Sequence, residues 1–291
     1  MKLISTTDYL ASRFGFAEAI DILADAGYDG IDFSAHTSEE YYTDAHPESY
    51  YTDLRARAEA RGVAFLQAHA PFASSFKDGE KTEKRFFEIV TSMKNASLLG
   101  VPRIVVHPCQ HLHYVDNDAV PERLFEMNMA FYRRLLPYAE EYGIAIMTEN
   151  MWTSDAGVIV HSTCSRPQEM IRYFDEIDHP LFGCCLDIGH TALVREDAAA
   201  FIRALGKKRL QCLHVHDVDG THDNHTLPYF GGAVNWERVL CALAEIGYEG
   251  NLTYEADCFF APLPPTLAPD AARFMERVGR TMIAKITAYQ A

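Results

Sequence analysis

Eight short apolar or β-branched runs, each followed by a longer stretch of helical periodicity, recur along the 291 residues of the chain. Strand-then-helix repetition is the most constraining feature of the sequence, because parallel neighbouring strands require a crossover and a helix is the usual one. The strand candidates are residues 2–5, 30–34, 64–70, 103–107, 145–150, 183–187, 211–216 and 251–255. Helical segments lie near 16–27, 52–62, 80–99, 120–142, 166–176, 196–206, 235–246 and 268–289. Two helix-to-strand junctions, Ala26-Gly27-Tyr28-Asp29-Gly30 and Ile246-Gly247-Tyr248-Glu249-Gly250, are near copies. In each, the first glycine suits a left-handed helix cap and the second a tight entry into the strand. Eight parallel strands are the number that closes on itself. No GxGxxG follows the first run, which removes the main support for an open doubly wound sheet. No linker or low-complexity tract divides the chain. The expectation is one domain, residues 1–291, folded as a single (β/α)8 TIM barrel.

Charge narrows the partners. With 41 acidic and 26 basic residues the formal charge is −15, a field that repels phosphate backbones and anionic membranes. Nucleic acid and membrane are therefore not the expected partners. Seven cysteines, an odd number without CxxC spacing, point to a reducing cytoplasm. The opening MKLISTTDYL lacks the basic and apolar regions of a leader, and no 18-residue apolar run occurs. A cytoplasmic enzyme is expected.

The chemistry-bearing residues are positional. His69, His107, Glu149, Asp187, His214 and Glu255 stand at the C-terminal ends of six of the predicted strands, and in a barrel those ends converge on the face where active sites are built. Buried carboxylates left together repel, and a cation is the simplest way to satisfy them. Glu149, Asp187, His214 and Glu255 are the expected ligands of one divalent metal. Three carboxylates and one imidazole make a hard shell, suiting Mn²⁺ first, with Mg²⁺, Co²⁺ or Zn²⁺ as alternatives. His214 and His216 share a strand face by their spacing of two. Gly189 is expected to bend the chain so that His190 returns over the site. A polar loop, residues 216–225, is either plain solvated surface or a source of further ligands. In the second case Asp223 and His225 join His69, His107 and His190 around substrate or additional metal.

The motifs HAPF at 69–72, VVHP at 105–108, TEN at 148–150, LDIGH at 186–190, LHVHD at 213–217, DNHTLPYFGGAVNW at 223–236 and TYEAD at 253–257 resemble those of the xylose-isomerase-like TIM-barrel superfamily. The superfamily holds sugar isomerases and epimerases and the endonuclease IV type of DNA repair enzyme. The resemblance to its epimerases implies one metal on Glu149, Asp187, His214 and Glu255. It also implies proton exchange with carbon by Glu149 and Glu255, with His190 on substrate oxygens. Ketohexose 3-epimerases carry an arginine six residues beyond the strand-seven histidine, where this chain has Gly220. The resemblance to endonuclease IV implies three zinc ions on nine ligands: His69, His107, Glu149, Asp187, His190, His214, Asp223, His225 and Glu255. Few Lys or Arg follow these strands, and Lys207-Lys208-Arg209 precedes strand seven on the opposite rim. Sugar chemistry is favoured over phosphodiester cleavage.

The expected reaction is therefore aldose–ketose isomerisation or epimerisation beside a carbonyl through an enediolate, with C-glycoside cleavage as a further alternative. Phe72, Phe76, Trp152, Phe259 and Phe260 are candidate walls for a sugar's C–H face. The loop with YYTD at 41–44 and again at 50–53 is expected to be a substrate lid or a contact in a homo-oligomer. No phosphate site is evident after the last strands, so a neutral sugar is preferred.

Overall fold

The structure, a computed structural model, describes residues 1–115 and 117–290. Its strands in chain order are β1 (Leu3–Ser5), β2 (Gly30–Ser34), β3 (Ala64–His69), β4 (Arg103–Val105), β5 (Ala145–Glu149), β6 (Trp152–Asp155), β7 (Val158–His161), β8 (Phe182–Asp187), β9 (Leu210–His214) and β10 (Leu252–Tyr254). Eight of them form one parallel sheet in the order β10-β1-β2-β3-β4-β5-β8-β9. The two ends join: Val215 donates its N–H to the Thr253 carbonyl at 2.8 Å, and Glu255 donates to the Val215 carbonyl at 3.3 Å. The sheet is the expected (β/α)8 barrel.

The helices are α1 (Asp8–Phe14), α2 (Phe16–Ala26), α3 (Glu48–Ala60), α4 (Gly79–Leu98), α5 (Ala119–Tyr142), α6 (Pro167–Ile177), α7 (Ile188–Leu193), α8 (Ala198–Arg209), α9 (Trp236–Glu245) and α10 (Ala268–Gln290). They form because apolar residues recur on one face. In α6, Met170, Tyr173, Phe174 and Ile177 follow the three-to-four spacing, and all four are buried. Side-chain caps set several starts: Asp78 accepts from the N–H groups of Glu80 and Lys81, and Asp197 from those of Ala199 and Ala200. Among the described residues no helix is long and apolar enough to cross a membrane.

Three elements lie outside the sequence reading: α1, α7 and the antiparallel hairpin β6–β7. The repeated glycine junctions divide their labour. Gly27 and Gly247 take positive φ after α2 and α9 as expected. Gly30 and Gly250 instead make room, since a Cβ would fall 2.6 Å from the Ala64 carbonyl oxygen or 2.2 Å from the Tyr248 hydroxyl. In the tyrosine-rich loop two of the rings serve the core. Tyr41 and Tyr51 are buried against Phe33, and Asn95 donates to both the Tyr41 carbonyl and the Tyr51 hydroxyl.

The interior of the barrel is two-sided. Val105, Met147, Cys185 and Cys212 form a buried cluster of their own, each two residues before a candidate ligand: His107, Glu149, Asp187 and His214. Strand alternation stacks each ligand above that apolar plug. On the other half the same depth holds Asp32, Gln67 and Thr253, all fully buried, with Thr253 Oγ1 donating to Gln67 Oε1 at 3.2 Å.

Candidate metal centre and cavity

Each candidate ligand is delivered by a strand end. Glu149, Asp187 and His214 close β5, β8 and β9, His69 closes β3, Glu255 follows β10 directly, and His107 lies two residues past β4. His214 Nδ1 lies 3.0 Å from Glu149 Oε1, 3.1 Å from Glu255 Oε2 and 3.9 Å from Asp187 Oδ2. Ligand atoms of the four residues all lie within 4.8 Å of one another. An octahedral ion with bonds of about 2.1 Å sets adjacent ligands about 3 Å apart and opposite ones about 4.2 Å apart. The four residues sequence reasoning named as ligands therefore fit a single divalent cation.

The surrounding imidazoles form a second tier. His69 Nε2 approaches His107 Nε2 at 3.0 Å and Glu149 Oε2 at 3.6 Å, while His107 Nε2 is 3.1 Å from the same oxygen. His225 Nε2 lies 3.1 Å from Asp223 Oδ1, and His190 Nε2 lies 3.4 Å from Asp223 Oδ2. Ligand atoms of His190, His216, Asp223 and His225 also fall within 4.8 Å of one another, as do those of His69, Glu149 and His214. Backbone carbonyls set the tautomers. The Nδ1 atoms of His69, His190 and His225 point at the carbonyls of Ala70, Asn150 and Glu255 at 2.8, 2.8 and 3.0 Å. A carbonyl only accepts, so each Nδ1 carries the proton and each Nε2 is free to ligate. His214 has the opposite polarity, presenting Nδ1.

His216 differs from its expected partners. Its Nε2 sits 2.9 and 3.0 Å from the two Asp187 oxygens, and its ring stacks on His225 with centroids 4.0 Å apart. Gly189 is there for His216, not for a bend. Residue 189 lies inside α7, whose N-cap Asp187 accepts from the His190 N–H, and a Cβ at 189 would fall 2.1 Å from His216 Cε1.

The electrostatics require positive charge. Burial pushes the Glu149 carboxyl up, yet the His214 and His107 imidazoles outweigh it and hold the group well below the usual range. Glu255 behaves alike, with burial opposed by His214 and His225. Against their burial, Asp187 and Asp223 raise His190 well above an ordinary imidazole, Asp223 and Glu255 raise His225 to about 10, and Cys185 with Glu255 and Glu149 raises His214. A divalent cation beside these carboxylates supplies positive charge while leaving the imidazole nitrogens neutral to ligate. The donor set suits a metal.

A cavity of about 560 Å³ opens above these residues. Phe72 and Trp152, the expected walls, line it. Phe72 stacks on His107 with centroids 5.0 Å apart, and Trp152 Nε1 donates to Asp223 Oδ2 at 3.0 Å. Phe76, Phe259 and Phe260 do not line it. Phe76 lies under Arg85, Phe259 packs with Phe230 and Phe274, and Phe260 is buried on Tyr9. Sequence reasoning missed Asp8, His36, Asp257 and Cys258, which line the cavity from the segments that follow β1, β2 and β10. It also missed Asp32 below, whose carboxylate has no hydrogen bond and lies 4.0 Å from His214 Nε2. Burial pushes Asp32 up to about 6. Asp32 follows the alternation of β2 and was legible in principle as an inward acid two residues before Ser34.

Relatives share this architecture. An uncharacterised protein of Methanocaldococcus jannaschii, MJ1311, is 30% identical over 71% of this chain and 68% of its own length. A probable endonuclease 4 of Geobacter sulfurreducens is 26% identical over 56% of each chain. A D-psicose 3-epimerase of Ruminiclostridium cellulolyticum is 23% identical over 81% of this chain and 76% of its own. Among solved structures, a D-tagatose 3-epimerase-like protein superposes over 100% of both chains with TM-score 0.76 at 22% identity. IolI, solved with a bound zinc atom, covers 99% of each chain with TM-score 0.75 at 18% identity. The family model described as xylose isomerase-like TIM barrel matches residues 20–278, and the chain belongs to that family.

Proposed function

We propose that the chain is a metal-dependent sugar isomerase or epimerase that moves a proton beside a carbonyl. The carrying observation is that oxygens of Glu149 and Glu255, both of which line the cavity, converge on one His214 nitrogen at 3.0 and 3.1 Å. Bound on Glu149, Asp187, His214 and Glu255, a divalent ion such as Mn²⁺ supplies Lewis acidity that stabilises negative charge on adjacent substrate oxygens. One glutamate takes the proton from carbon and the other, or a histidine, returns it to the enediolate. His190, its ring fixed by the Asn150 carbonyl, presents Nε2 to a substrate oxygen. Phe72 and Trp152 shield the sugar's C–H face from water. The epimerase relatives support the sugar class, and Gly220 in place of arginine separates this chain from the ketohexose 3-epimerase pattern.

The test is solvent deuterium incorporation into sugar by the metal-loaded protein. Glu149→Gln and Glu255→Gln each abolish incorporation while the fold survives; full exchange in both variants sinks the assignment. A three-metal phosphodiesterase is the second reading, favoured because seven of the nine endonuclease-type ligands line the cavity and the other two, Asp187 and His214, cluster with Glu149 and Glu255. The cavity wall contains five carboxylates and no Lys or Arg among the described residues, which is poor company for a phosphate. One metal per chain and no cleavage of abasic DNA exclude that reading.

A further inference from the structure

One wall of the cavity belongs to no ligand set. Asp8, at the start of α1, and His36 and Asp257, in the segments after β2 and β10, face it. We propose that these three side chains form a hydroxyl-recognising subsite that holds the end of the sugar farthest from Glu149 and selects unphosphorylated substrates. The proposal rests on the sugar isomerase or epimerase reading and names the substrate class of that site.

The wall is built, not incidental. Asp8 accepts from Ser34 Oγ at 2.6 Å and pairs with His36 Nε2. Ser34 Oγ in turn accepts from the Thr7 N–H at 3.0 Å, and Thr7 Oγ1 donates to the Asp32 carbonyl at 3.1 Å. Asp257 accepts from the Tyr9 N–H at 2.8 Å and from Thr6 Oγ1. Held this way, the three groups keep unused capacity. A carboxylate has roughly four acceptor positions, and Asp8 and Asp257 each take two donors in the structure. His36 Nδ1 is buried without a hydrogen-bond partner.

Position and chemistry then choose the ligand. His36 stands edge-on to His69 with centroids 4.9 Å apart, and His69 Nε2 lies 3.6 Å from Glu149 Oε2. A sugar whose reacting carbon lies at Glu149 reaches His36 with its far end. What that end must offer is a proton for the carboxylates and a match for the imidazole nitrogen. A hydroxyl both donates and accepts, so it satisfies both. A phosphate monoester offers mainly acceptor oxygens and negative charge. It meets Asp8, Asp257 and Glu255 with no Lys or Arg in the wall among the described residues. Phe72, 5.0 Å from the His36 ring, covers the C–H side of the same end.

The experiment uses the Mn²⁺-loaded protein and measures deuterium exchange into free hexoses, the terminal phosphate esters of those hexoses, and free tetroses too short to reach His36. Wild type exchanges free hexoses with kcat/KM at least about 100-fold above their phosphate esters. Asp8→Asn and His36→Asn raise KM for hexoses roughly 10- to 100-fold, hold kcat within a few-fold, and leave the kinetics of tetroses unchanged. A merely structural role lowers turnover of long and short sugars alike, and that result overturns the subsite, as does preference for the phosphate esters. Absence of exchange into any free or esterified sugar by wild type overturns the isomerase or epimerase reading itself.

Discussion

Asp217 is the residue on which the loop after β9 depends, and its replacement gives a measurable test. The side chain is fully buried and accepts four N–H groups. Oδ1 takes those of Val218 and Val234 at 2.9 and 3.3 Å. Oδ2 takes the Tyr229 amide at 3.1 Å and Trp236 Nε1 at 3.0 Å. These donors bracket the segment that carries Asp223 and His225, so one carboxylate ties the second ligand tier to the barrel. In Asp217→Asn an amide NH2 replaces one oxygen and faces two N–H donors whichever way it turns. Hydrogen bonds to a charged acceptor are worth about 1.5–3 kcal/mol each, and the stranded donors add desolvation cost. Allowing for overlap between these terms, the loss is about 3–5 kcal/mol. At about 2–4 °C per kcal/mol for a domain of this size, Tm falls by about 10 °C. Urea unfolding measures the free energy, and hydrogen exchange at the Tyr229 and Val234 amides locates it. A loss below about 1 kcal/mol with unchanged exchange at both amides refutes the reasoning.

Two further substitutions separate stability from function. Asp32→Asn stabilises the metal-free protein above pH 6 by about 1–3 kcal/mol, because the folded carboxyl at about 6 sits above its unfolded value and stability drains away as pH rises through that window. The same change lowers metal affinity roughly 10- to 100-fold in a chelator competition, since it weakens the acid behind His214 Nε2. Glu169, largely buried and accepting from the Tyr114 hydroxyl at 3.0 Å, is pushed up by burial to about 7. Its folded pKa also exceeds the unfolded one, so stability falls from about pH 4.5 to 7, and Glu169→Gln flattens that slope and stabilises at pH 8 by about 1–3 kcal/mol. Thermal unfolding across pH 4–8 checks it.

The barrel was legible because its signal is periodic: apolar strand, helix, apolar strand, with turn glycines between. Gly206, the last residue of the helical segment expected near 196–206, leaves helical geometry with φ 65° and ψ 174°. The hairpin β6–β7 was not legible, since Trp152–Asp155 and Val158–His161 are half-exposed and their stability comes from pairing with each other, which composition does not encode. Helix α7 was hidden for a related reason. Six residues are too few for a period, and the helix starts where the Asp187 side chain caps the His190 N–H. Among site residues, those at strand ends were visible by position. Asp8 and His36 were not, because each sits just past a strand and acquires meaning only from the other, 28 residues away.

The two halves of the barrel floor explain why one side of the site reads as ligand and the other as substrate. His107, Glu149, Asp187 and His214 rise from a largely apolar plug of Val105, Met147, Cys185 and Cys212, where the Cys185 thiol pairs with His214 and packing surrounds the rest. Side chains held that way keep one geometry, which metal ligation demands. Asp8, His36 and Asp257 stand over the opposite half, where Thr253 donates to Gln67 while Gln67 Nε2 and both Asp32 oxygens stay without a partner. A polar floor accommodates hydrogen-bond rearrangement, which recognition of a hydroxylated chain demands. Exchanging the floors, with an acid at position 147 or a leucine at 67, therefore disturbs different properties: metal affinity in the first case, discrimination among sugars in the second.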